Sequence, residues 1–84
     1  MTRIVRMQKR MLKEYINSVV TRELVNDVFG FIVSKHGGWN PLLMPLYINT
    51  VCDRISDIKY DQVELRKEVI RKMKEFDPIL FKKV

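Results

Sequence analysis

One imidazole, His36, and one thiol, Cys52, are all that this 84-residue sequence offers of those two groups. A histidine or cysteine without a second of its kind builds no zinc site, and no acid–base–nucleophile set assembles around either. His36 stands just before Gly37-Gly38, where a cationic ring complements the negative end of a helix dipole. Cys52 reads as a buried, inert residue of a third helix. A lone thiol fits a reducing compartment, the cytosol of a cell or of a viral host.

Three carboxylates, Asp53, Asp57 and Asp61, recur at four-residue spacing. Such a row could ligate a metal or share a proton. Nothing rigid supplies a third ligand, however, and Arg54 and Lys59 stand nearby as counter-charges, so the row reads as a solvated face. The loop Lys35-His-Gly-Gly-Trp-Asn-Pro41 has the glycines of a phosphate cradle. It lacks both the Gly-Lys-Ser/Thr ending and the preceding strand. The sequence therefore predicts a non-enzyme with no metal and no cofactor.

The strongest chemical signal is cationic. Sixteen Lys and Arg against ten Asp and Glu give a net charge of +6. Residues 1–13 hold five of those cations (Arg3, Arg6, Lys9, Arg10 and Lys13) and no acid. A solvated helix face ordinarily mixes signs, because opposite charges one turn apart stabilise it and like charges repel. A face of uniform sign suits phosphates. Residues 62–84 carry a further +3, and Lys67, Arg71 and Lys74 share one side of a fourth helix there.

These residues need helices to position them. Ile4, Met7, Met11, Leu12, Tyr15, Ile16 and Val19 make one face of a first helix, from Ile4 to about Val20, with the cations opposite. A second helix spans about Arg22 to Lys35, with Thr21 as its N-cap and Leu24, Val25, Val28, Phe29, Ile32 and Val33 as its stripe. A continuous helix would rotate the apolar face by roughly 140° between the two segments, so a break is expected near Asn17–Thr21. Gly37-Gly38 ends the second helix. A short turn over Pro41–Met44 then leads into a third helix starting at Pro45, with Ile48, Val51, Ile55 and Ile58 inward. Asp61 and Glu64 form a capping box for the fourth helix, whose stripe is Leu65, Val69, Met73 and Phe76. Asp77-Pro78 stops it. The apolar tail Ile79-Leu-Phe-Lys-Lys-Val84 is expected either to fold back or to dock on a partner.

The expected fold is a single all-α domain over 1–84, a compact bundle of about four short helices. No apolar run approaches the ~20 residues of a membrane span, and the N-terminal MTRIVRMQKR has no apolar signal-peptide core. The chemistry points to a small basic regulator that binds RNA or DNA through backbone phosphates. Arg3, Arg6, Lys9, Arg10 and Lys13 would contact nucleic acid, assisted by Lys67, Arg71 and Lys74. The spacing of the middle helices does not suit a helix-turn-helix, and no RNP-type strands or GXXG loop occur. The competing expectation is a protein-binding adaptor or inhibitor of a nucleic-acid-handling enzyme. It would meet an acidic protein surface and use Trp39, Ile79, Leu80 and Phe81 as anchors.

Overall fold

A computed structural model of the chain describes residues 9–55 and 61–81. Within them lie four α-helices and no strand: α1 Lys9–Val19, α2 Arg22–His36, α3 Met44–Arg54 and α4 Gln62–Phe76. α4 packs against both α1 and α3, and α2 packs against α3.

α1 buries Leu12 and Ile16, and Val20 just beyond it continues the same four-residue row. Met11, expected on the core face, is instead 51% exposed. With α4 as its main neighbour, α1 has only a narrow stripe covered, and a residue 100° away from Leu12 falls outside it. Arg3, Ile4, Arg6 and Met7 lie outside the described residues.

The break between the first two helices falls at Val20–Thr21. Thr21 is extended (φ −93°, ψ 164°), and its Oγ1 accepts the Leu24 N–H at 3.1 Å, which satisfies one of the unpaired donors of the first turn. The chain redirects there, so the rotated stripe of α2 can bury Val25, Val28 and Ile32. Gly37 ends α2 at φ 72°, a left-handed conformation that glycine adopts without a Cβ penalty, and the Gly38 N–H closes onto the Val33 carbonyl at 2.9 Å.

Pro41–Leu43 forms a 3-10 turn capped by Asn40, whose Oδ1 accepts the Leu42 N–H at 3.0 Å. Pro45 falls in the first turn of α3, where its missing N–H costs nothing. α3 stops at Arg54, earlier than the spacing through Ile58 predicts. The Ile55 N–H turns back to the Cys52 carbonyl at 3.2 Å, a tight closing turn, while the Ile55 side chain stays buried. Asp57, Ile58 and Lys59 lie outside the described residues. Asp61 opens α4 as expected, accepting the N–H groups of Val63 at 2.8 Å and Glu64 at 3.4 Å.

The core combines these stripes with Tyr47, Ile48 and Val51 of α3, Leu65, Val69 and Met73 of α4, and Phe81. Asn17 meets Arg71, and Arg22 meets Phe76. The chain from 17 to 22 therefore travels beside the chain from 71 to 76 in the same direction. α1 and α4 pack against each other.

Candidate nucleic-acid interface

On α1, Arg10 and Lys13 are exposed. Neither makes an ion pair among the described residues, and Glu14, one turn on from Arg10, is likewise unpaired. One turn beyond Lys13 the row reaches Asn17, whose Oδ1 accepts from Nη2 of Arg71 at 3.2 Å. That bond joins the α1 row to α4. Lys9 opens α1; Arg3 and Arg6 fall outside the described residues.

The cations of α4 have a different environment. Arg71 donates through Nε to Glu68 at 2.9 Å and through Nη1 to Glu75 at 3.3 Å, besides its bond to Asn17. Glu68 is only 6% exposed, and a buried carboxylate is costly unless a cation compensates it. Arg71 thus compensates Glu68 within the fold, which the expectation of a phosphate contact there did not include. Lys67 reaches Glu64 at 3.8 Å, and Lys72 reaches Glu75 at 3.2 Å. Lys74 is exposed and has no ion pair among the described residues.

A further cationic feature goes beyond those expectations. Arg22 lies 5.2 Å and Lys72 5.0 Å from the centre of the Phe76 ring, within the range of cation–π attraction. Lys72 precedes Phe76 by one turn, so the spacing alone could have found that pair. Arg22 comes from a distant part of the chain, and no local pattern signals it. Arg66 of α4 similarly donates to Asn49 of α3.

The residues expected to anchor a protein divide between core and surface. Trp39 stacks on Phe29 at 5.0 Å and meets the edge of Tyr47 at 5.7 Å. Phe81 is fully buried, 6.1 Å from Tyr47. The tail folds back as far as it is described, burying Phe81, and Trp39 is a half-buried lid. Leu80 packs partly against the core, whereas Ile79 points outward. The Tyr47 hydroxyl pKa is raised, first through burial and then through the charge of Asp77.

Cys52 is half-buried, less enclosed than expected. Burial, chiefly, still pushes its thiol pKa up, against the reactive thiolate. His36 occupies the last turn of α2. The described residues include no cluster of His, Cys, Asp and Glu able to hold a metal ion, and none of their helices is long and apolar enough to cross a membrane. Compared with family models, curated proteins and solved structures, the chain matches none.

Proposed function

We propose that this chain is a non-enzymatic nucleic-acid-binding protein that grips backbone phosphates through the outer face of α1. Arg10 and Lys13 are the central contacts, Lys67 and Lys74 of α4 flank them, and the sequence adds Arg3, Arg6 and Lys9 on the N-terminal side. The observation that supports this reading is that Arg10 and Lys13 make no ion pair among the described residues, in a molecule whose α4 cations are mostly held by carboxylates. A cation without a local partner has its full charge available for phosphate and releases condensed counterions on contact. Recognition of this kind reads charge and shape before sequence, so RNA and DNA are both candidate ligands.

The test is fluorescence-anisotropy titration of mixed-sequence RNA and DNA, single- and double-stranded, over a series of salt concentrations. The parent is expected to bind with a steep log–log salt dependence. Arg10→Gln with Lys13→Gln should flatten that slope by about 0.7 to 0.9 for each phosphate no longer neutralised, uniformly across sequences. An unchanged slope removes α1 from the interface. No nucleic-acid binding by the parent at low salt overturns the reading in favour of an acidic protein partner for the same face.

A further inference from the structure

α2 turns Val25, Val28 and Ile32 inward. Its exposed surface carries a second pattern that the phosphate-binding reading does not use. Glu23, Asp27, Gly30, Phe31, Ser34 and Lys35 are all exposed there. Phe31 is half open to solvent in the middle of the helix, with the Lys35 ammonium 5.7 Å from its ring centre. Glu23 and Asp27 make no ion pair among the described residues, in a chain with a surplus of cations.

We propose that α2 is the contact of an antiparallel, two-fold symmetric dimer of this chain. Asp27, Phe31 and Lys35 form one row at four-residue steps, each step rising about 6 Å along the helix axis. A two-fold axis through Phe31 brings the two rings together. It also sets Asp27 of each copy against Lys35 of the other, so the same patch is its own complement. A parallel pairing would oppose Asp27 to Asp27 and Lys35 to Lys35, so the charges select the antiparallel arrangement. That arrangement also opposes the two helix dipoles favourably. The dimer is independent of phosphate binding, because neither α1 nor α4 takes part in it.

Charge exchange tests this directly, by sedimentation velocity over a range of protein concentrations at low salt. The parent is expected to dimerise as its concentration rises. Asp27→Lys and Lys35→Asp should each weaken self-association about tenfold or more, because each creates like-charge oppositions at both symmetric contacts. An equimolar mixture of the two variants should recover the dimer as a mixed species, since every opposed pair is then of opposite sign. Phe31→Glu should be monomeric with unchanged helical circular dichroism. A parent that stays monomeric into the millimolar range overturns the proposal. So does a dimer indifferent to either swap or to Phe31→Glu, or a mixture of swapped variants that fails to recover.

Discussion

α1 and α4 pack against each other and both carry cations at the surface, yet the electrostatic state of those cations differs. Among the described residues Arg10 and Lys13 have no carboxylate in contact, whereas Lys67, Arg71 and Lys72 each touch one. The difference originates in sequence spacing. In α4 the acids Glu64 and Glu68 stand three residues before Lys67 and Arg71, and Glu75 follows Lys72 by three. Those intervals place the groups on adjoining turns of one surface. α1 has only Glu14, and it pairs with nothing among the described residues. Counting basic residues makes the two helices look alike. Counting each cation against its neighbours one turn away separates a surface open to an external anion from one already neutralised.

The sharpest consequence concerns stability. Removing Arg71 leaves Glu68 buried without its guanidinium and breaks the bond to Asn17 that ties α4 to α1. Arg71→Ala should therefore cost about 2–3 kcal/mol, read as a lower midpoint in urea or thermal unfolding. Lys74→Ala, at an exposed and unpaired position of the same helix, should stay within about 0.5 kcal/mol of the parent. Equal losses from the two substitutions would mean that the cations of α4 are interchangeable, and the contrast with α1 would fail.

Features of the fold are legible in the sequence where the partners they depend on are local. Thr21 and Asp61 cap α2 and α4, and Asn40 caps the 3-10 turn before α3, each through atoms two or three residues away, so these starts can be read from those residues. The Gly37-Gly38 stop and the Pro41 turn are legible for the same reason. The end of α3 is not, because Ile55 and Ile58 continue the apolar spacing and nothing local announces the turn at Ile55. The sequence allows the tail either to pack or to protrude, and a distant ring, Tyr47, decides the matter by receiving Phe81. Arg71 looks like a phosphate ligand in the sequence even though Glu68 stands one turn before it. What periodicity does not contain is the burial of Glu68, which turns a surface pair into a structural one.

The two faces should also separate in binding. Arg10→Gln with Lys13→Gln should weaken nucleic-acid affinity by about tenfold at low salt while leaving the unfolding midpoint close to the parent's. Lys67→Gln should weaken it less than about threefold, because Glu64 already offsets part of that charge. Anisotropy titrations run in parallel on the two proteins measure the difference directly. If Lys67→Gln has the larger effect, the centre of the phosphate surface moves from α1 to α4.

The smallest expected effect is a gain. Glu75 is more than half exposed and accepts from Arg71 at 3.3 Å and Lys72 at 3.2 Å. Glu75→Gln removes its charge without removing its length, and exposed pairs of this type contribute only about 0–1 kcal/mol, so the fold should tolerate the change. Arg71 remains committed to Glu68 and Asn17, but Lys72 is freed from its only carboxylate among the described residues. Lys72 then joins Lys74 in the condition of Arg10 and Lys13. If local pairing is what limits the contribution of α4 to phosphate binding, affinity should rise about two- to threefold, and the salt slope should steepen by at most about 0.7 to 0.9, the value of one further phosphate neutralised. A steeper slope would identify the carboxylates of α4 as the restraint on its cations. An unchanged slope would mean that Lys72, held beside the Phe76 ring 5.0 Å away, is kept from phosphate by its position instead, and that pairing alone does not account for the difference between the two helices.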